Sequence, residues 1–332
     1  MSPAGRRHGG GQSTERRRVV MLARVLGQGR APGVVVGIGD DAAVLAPGAE
    51  KLVWTTDAMV EGVHFERGWL TLRELGFRSV MVAASDLAAM GAAPRGVLSS
   101  LVLPPTFSDA ELVQLARGQA AACARLGTAV CGGNLARGER LSLTISVLGA
   151  AARPLRRAGA RPGDAVLLAG VVGLAGAGQQ LLERGLARTA AARAAPRSAL
   201  SAWRRPLARI AEGRRAAAVA RAAIDISDGL AGDLGQMCAA AGAGLRIVLD
   251  AEALVSGELV AAAGVLGCAP LDLALFGGED YALAVAAPAG AIPEGFRPIG
   301  RCERRRGGAR LVLAESRRRR VIAAAGYDHF AP

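Results

Sequence analysis

Thirteen aspartates serve the 332 residues, and seven of them fall in five short stretches: Asp40 and Asp41 in GIGDDAAVL, Asp57 in TTDAMVEGVHF, Asp86 in SDLAAMGA, Asp225 and Asp228 in IDISDGL, and Asp280 in FGGEDY. Each carboxylate ends an apolar strand pattern or sits in a helical one beside Gly, Ser or Thr. Carboxylates gathered in one place repel one another, and a hard divalent cation relieves that repulsion. Mg2+, which takes oxygen ligands and shares them with phosphates, suits such a set. The chemistry implied is metal-assisted handling of phosphate groups. Any single Asp beside Gly or Ser also fits a helix N-cap or a turn. Asp228 before Gly229 and Leu230 fits a cap well, and Asp109 and Asp164 read as cap or turn residues only. It is the joint occurrence of five such stretches that independent turns explain poorly.

Other phosphate and nucleophile devices are absent. There is no GxxxxGK[ST], the sole lysine being Lys51 in a predicted strand, and no GxGxxG opens a helix after a strand. The Gly-rich run GVVGLAGAG reads as loop or helix-packing material, and no GxSxG elbow or Cys/His pair offers a nucleophile. Direct phosphoryl transfer needs none of these, because positioning and charge neutralisation supply most of its catalysis.

The elements that must position these residues alternate along the chain. Residues 1–18 read as a flexible basic tail, and helical spacing begins at Val19. Strands are predicted over Val34–Ile38, Lys51–Thr55, Val97–Leu103, Ala129–Cys131 and Leu141–Leu148, with helices over Leu72–Met90 and Asp109–Leu126. The turn-rich RPLRRAGARPGD, beginning at Arg153, marks a domain boundary. Beyond it come the strand Ala165–Ala169, an Arg/Ala-rich helical region to about 222, a strand into Asp225, a helix from Gly229 to Ala241, and a basic hairpin around Arg317–Arg320. The expected fold is α/β of the α+β type in two domains, 19–152 and 153–332.

Composition excludes several classes. With 51% hydrophobic residues the chain can bury a core, and no apolar run reaches the roughly 18 residues of a membrane span. Neither a signal h-region nor a CxxC pair is present, so a cytoplasmic protein with reduced, mostly buried thiols is expected. The net charge of +13 is concentrated: residues 1–18 hold five Arg against one Glu, and residues 301–320 nine Arg against two Glu. Without interleaved aromatics or a recognition motif, this pattern does not indicate a specific nucleic-acid partner.

From about Val19 to the C-terminus, the order and spacing of these motifs closely resemble the thiamine-monophosphate kinase family, in the superfamily of aminoimidazole ribonucleotide synthetase and selenophosphate synthetase. The resemblance is carried by the five acidic stretches, the GG of CGGNLARG, RAGARPGD, RRPLAR and the terminal GYDHF. FGGEDY and GYDHF are its most discriminating parts. It implies that Asp41, Thr55, Thr56, Asp57, Asp86, Asp225 and Asp228 hold several Mg2+ ions, with Asp41, Asp57, Asp86 and Asp225 central to catalysis. Ser227 and Arg157 would contact ATP, with Gly133 and Asn134 on the nucleotide and metal side. His64, Glu279 and Tyr327 would contact thiamine monophosphate. It further implies direct transfer of the γ-phosphoryl group of ATP to thiamine monophosphate, an N-terminal domain that pairs in a homodimer, and ATP in the cleft between domains.

Three positions depart from the family pattern. Asn134 stands where a metal-binding Asp is usual, and Arg78 and Ala84 stand where Lys and Asn are usual. Two alternatives accompany the resemblance. One is another ATP-dependent synthetase of the superfamily, disfavoured by the lack of a reactive Cys near the N-terminus. The other is a non-catalytic paralogue, for which Asn134 and the basic tail speak.

Overall fold

The computed structural model describes residues 14–38, 42–188, 197–308, 310–316 and 318–327. Asp40, Asp41, Arg317 and most of the GYDHF motif lie outside them.

Helix α1 (Thr14–Val25) starts at Thr14, ahead of the expected Val19. Its early start has a partner: Arg17 and Arg18 both bridge to Asp109, and Arg18 also donates to the Phe107 carbonyl. Asp109 is thus an ion-pairing residue in the first turn of its helix, while Ser108 is the cap. A short ribbon of β1 (Val34–Val36) and β2 (Val44–Leu45) follows.

The first large unit is a four-stranded sheet in the order β3-β6-β4-β5, made of β3 (Lys51–Val60), β4 (Ala93–Leu103), β5 (Val130–Arg137) and β6 (Ser142–Ala151). Helices α2 (Leu72–Ala89) and α3 (Asp109–Leu126) cover one face, each opened by a capping box, Thr71 with Glu74 and Ser108 with Glu111. The two helices touch backbone to backbone. A Cβ on Gly76 would stand 2.0 Å from the Leu115 carbonyl, and one on Gly118 2.0 Å from that of Arg73. Strand β3 continues five residues past the expected end at Thr55, because β6 pairs with it from Lys51↔Ala151 to Val60↔Ser142. Among the described residues no helix lies over the other face of this sheet, and Leu52 and Trp54 are 69% and 73% exposed there.

The second unit is a seven-stranded sheet in the order β13-β12-β9-β11-β7-β10-β8. Its strands are β7 (Asp164–Ala169), β8 (Ala222–Ile226), β9 (Leu245–Asp250), β10 (Ala282–Pro288), β11 (Arg297–Arg304), β12 (Leu311–Glu315) and β13 (Arg318–Ile322). The Arg/Ala-rich region is several helices: α4 (Leu174–Glu183), α5 (Arg197–Arg204) and α6 (Ile210–Ala216). Gly185 at φ 66 follows the first, and Pro206, which cannot donate to a preceding turn, follows the second. Helices α7 (Leu230–Ala240), α8 (Ala251–Leu254), α9 (Gly257–Leu266) and α10 (Pro270–Phe276) complete the unit.

The edge strand β8 meets α2, so one helix packs under the first sheet and reaches the second. Four of the five cysteines are buried, Cys268 is half-buried and all are free, as the sequence predicts. Among the described residues, no single helix is long and apolar enough to cross a membrane.

Candidate active site

Three elements converge on a cleft of about 640 Å³ between the two units. Strand β3 supplies Asp57 and Met59 from the face that packs on the helices, two residues apart as the pleat requires. Helix α2 supplies Arg78, Val82 and Asp86 at spacings of four, which lines one helical stripe with the cleft. From β8 comes Asp225, and from the loop after it Ser227 and Asp228. Val63, His64, Gln179, Gly277, Gly278, Glu279, Tyr281 and Tyr327 complete the lining. Asp86 therefore lies inside a helix, as patterning predicts, whereas Asp57 lies inside a strand rather than at the end that patterning favoured.

The acidic end of this cleft is held by hydroxyls. Thr55 Oγ1 donates to Asp86 Oδ2 at 2.5 Å, and Ser85 Oγ to Asp225 Oδ2 at 2.8 Å, the second bond joining the two units. Burial, then the charges of Asp86, Asp225, Glu279 and Asp228, push Asp57 up to about 7. Asp225 is pushed up to about 6 by burial and by Asp86, against the Ser85 hydroxyl and the charge of Arg157. A set of oxygen donors whose charges oppose one another fits a hard divalent cation. Among the described residues, no three His, Cys, Asp or Glu side chains close around a common point.

Sequence reading missed Asp233. Its Oδ2 accepts the Ser227 and Asp228 N–H groups at 3.1 Å each and so shapes the loop that carries both residues. The helix after that loop has Gly229 as its N-cap with no side-chain cap, so the expected cap role of Asp228 is replaced by the clamp from Asp233. Burial, then Asp228 and Asp225, push Asp233 up to about 7. The available signal was an acid one turn into the helix after SDGL. Asp280 is a second correction: its two oxygens accept the Gly173 and Ala175 N–H groups, so it caps α4 instead of facing the cleft. Burial pushes it up to about 7 even so.

Not every anticipated residue meets the others. Tyr327 lines the cleft while 62% exposed, and its N–H donates to the Asp228 carbonyl. His64 lines it too, its Nδ1 accepting the Val60 N–H. Thr56 points to the opposite face of β3 and donates to the Ile145 carbonyl. Arg157 is exposed, bonded to Gln236, and acts on Asp225 only through its charge. Gly133 and Asn134 stand on β5, three strands from β3, about 14 Å at ordinary strand spacing. Asn134 pairs with Ser100 on the uncovered face, so it shares no ion with Asp57 within one protomer. Asp41 lies outside the described residues.

Comparison with known proteins supplies independent findings. Residues 39–151 match the family model described as AIR synthase related protein, N-terminal domain, and residues 161–294 match its C-terminal counterpart. The thiamine-monophosphate kinase of Mycobacterium tuberculosis is 34% identical over 282 residues, covering 83% of this chain and 82% of that one. That of Aquifex aeolicus is 34% identical over 251 residues, covering 76% and 80%. Among solved structures, the thiamine-monophosphate kinase of Stenotrophomonas maltophilia aligns with TM-score 0.77 at 31% identity, over 89% of this chain and 95% of that one. AaThiL complexed with AMPPCP and TMP aligns with TM-score 0.77 at 29% identity, over 94% and 96%.

Proposed function

The chain belongs to the thiamine-monophosphate kinase family of AIR synthase related proteins, and from that premise we propose that its cleft moves the γ-phosphoryl group of ATP onto the phosphate of thiamine monophosphate, giving thiamine diphosphate and ADP. The observation that carries the reading is one cleft holding Asp57, Asp86, Asp225 and Asp228 together with His64, Glu279 and Tyr327. The solved complex of AaThiL with AMPPCP and TMP supports ATP as phosphoryl donor, since AMPPCP is ATP with a methylene in place of the bridging oxygen that transfer would release.

The reaction breaks the bond from the γ-phosphorus to the β,γ-bridging oxygen and forms one to an oxygen of the acceptor phosphate. That phosphate is already largely ionised at neutral pH, so no general base is required. Asp57, Asp86, Asp225 and Asp228 would hold Mg2+, each ion taking one or two carboxylates and completing its shell with phosphate oxygens and water. Bound Mg2+ would screen the two anions and the charge of the transition state. The residues of the chain do the rest. Ser85 and Thr55 orient Asp225 and Asp86, Asp233 fixes the Ser227–Asp228 loop, and His64, Glu279 and Tyr327 line the acceptor side.

We propose pairing of two protomers through the uncovered sheet face, which carries the exposed Leu52, Trp54 and Leu98 and, at its far edge, Asn134. A Trp54→Glu variant should sediment as a monomer where the wild type sediments as a dimer. The activity itself is tested by incubating protein, MgATP and thiamine monophosphate and resolving the products. Thiamine diphosphate and ADP in equal amounts are expected, whereas ADP with inorganic phosphate alone would refute phosphoryl transfer to this acceptor.

A further inference from the structure

Among the described residues, five carboxylates and a single guanidinium, that of Arg78, line the cleft. Arg78 lies in the middle of α2, 1% exposed, in the run GFRSVMVAAS. A buried guanidinium is costly unless its donors are met. Here its two terminal nitrogens are met, away from the acidic end, while the buried Nε has no partner among the described residues. One terminal nitrogen donates to Glu279 Oε2 at 2.5 Å and the other to the Trp203 carbonyl, while the guanidinium lies over the Trp203 ring at 4.5 Å and the Tyr281 ring at 5.8 Å. Tyr281 donates its hydroxyl to the same Glu279 oxygen at 2.6 Å. One carboxylate oxygen thus takes both bonds, and Oε1 accepts none from the described residues.

The backbone is built to the same end. Gly278, Glu279 and Tyr281 have φ of 67, 62 and 49, a left-handed conformation that strains the two non-glycine residues. The turn is kept there because the Glu279 N–H donates to the Ser227 carbonyl at 2.7 Å and the Tyr281 N–H to that of Ile226 at 2.8 Å. The strain aims Glu279 into the cleft, where its side chain is 22% exposed, and Arg78 holds it from behind.

We propose that Arg78 is a positioning residue for acceptor recognition: anchored on the Trp203 carbonyl and stacked between Trp203 and Tyr281, it fixes Oε2 of Glu279 so that Oε1 faces the cationic ring of the acceptor. Arg78 itself does not touch the acceptor. It joins α2, the end of α5 and the FGGEDY turn, so acceptor affinity depends on their mutual placement. A lysine could not do the same, since an ammonium lacks both the planar fork and the stacking face. The inference rests on the acceptor being thiamine monophosphate, whose thiazolium carries the positive charge.

The test measures kcat, both KM values and the unfolding temperature for wild type, Arg78→Met, Arg78→Lys, Glu279→Gln and the Arg78→Met/Glu279→Gln double variant. Arg78→Met should raise KM for thiamine monophosphate about tenfold and leave that for ATP within about twofold, with Arg78→Lys between it and wild type. Glu279→Gln should show the same rise, and the double variant no further one, because both changes act through one contact. Multiplying effects in the double variant, equal rises for both substrates, or a wild-type KM in Arg78→Met would each overturn the proposal. If Arg78→Met does not fold, Arg78→Lys decides: an unchanged KM for thiamine monophosphate overturns it, and a severalfold rise that vanishes beside Glu279→Gln upholds it. A wild type that makes no thiamine diphosphate would sink the acceptor reading instead. The contact is then judged from additivity of unfolding-temperature shifts of Arg78→Lys, Glu279→Gln and their double variant, fully additive shifts overturning it.

Discussion

The two ends of the cleft handle charge in opposite ways. At one end Asp57, Asp86 and Asp225 are brought together with hydroxyl donors and no ion pair among the described residues, and the folded protein carries their repulsion. At the other end Glu279 is matched by Arg78 and Tyr281, each bond short and each partner buried. Among the described residues, the one guanidinium lining the cleft is committed to Glu279 and kept from the aspartates. Charge left uncompensated marks a place that completes itself with a cation. Charge compensated in advance marks a place organised for recognition before anything binds.

The contrast is broken most severely by neutralising the acidic end. Asp57→Asn or Asp86→Asn should lower kcat at least about 100-fold at saturating Mg2+, as loss of transition-state charge stabilisation does elsewhere. Neither should lower the unfolding temperature, because each removes repulsion. Near-normal turnover in either variant would show that the carboxylates are structural. At the opposite end Glu279→Gln should leave kcat within a few fold while KM for thiamine monophosphate rises about tenfold and KM for ATP stays put. A kcat loss matching that of Asp57→Asn would erase the distinction between the ends. Tyr327→Ala should act in the same sense but more weakly, about threefold to fivefold on the acceptor KM, since an exposed ring gives up less on truncation. Equal effects on ATP would remove Tyr327 from the acceptor side.

The smallest effect is one of pH. Asp57 and Asp225, raised to about 7 and about 6, keep protons in the folded protein that the unfolded chain has already lost. Folding stability from these groups therefore falls as pH rises from about 4 to 7, and the loss is complete above both folded values. Without metal, the unfolding temperature should be lower at pH 8 than at pH 5.5 by roughly 2 to 5 °C, with Mg2+ recovering part of the difference at pH 8 and little at pH 5.5, since Asp280, also raised to about 7, lies away from the cleft. Asp57→Asn should lessen both dependences without removing them, because Asp225, Asp233 and Asp280 stay raised, as measured by calorimetry. An unchanged slope in that variant would mean that Asp57 is not among the raised groups.

The acidic end was readable in the amino-acid sequence because its residues share a chemical type. Asp57, Asp86, Asp225 and Asp228 announce themselves as carboxylates in apolar surroundings, wherever the fold then takes them. The matched end was only partly readable. Glu279 came through the resemblance of FGGEDY, but its partners did not: Arg78 lies 201 residues before Glu279 and 125 before Trp203. An arginine in an apolar helical run signals a buried partner without saying which. Asp280, of the right type and in the right motif, was misplaced because burial beside two N–H groups made it a helix cap. β3 was cut short at Thr55 for a related reason. Thr-Thr-Asp breaks an apolar run, yet pairing with β6 holds those residues in the strand.

The central claim is that cations gather at the uncompensated end and not at the matched one. Crystals of the protein grown with Mn2+ and AMPPCP, measured by anomalous diffraction, address it directly. Manganese peaks bonded to oxygens of Asp57, Asp86, Asp225 or Asp228 are expected, with Glu279 still paired to Arg78 and free of metal. Peaks absent from those aspartates, or a manganese ion seated on Glu279, would contradict it.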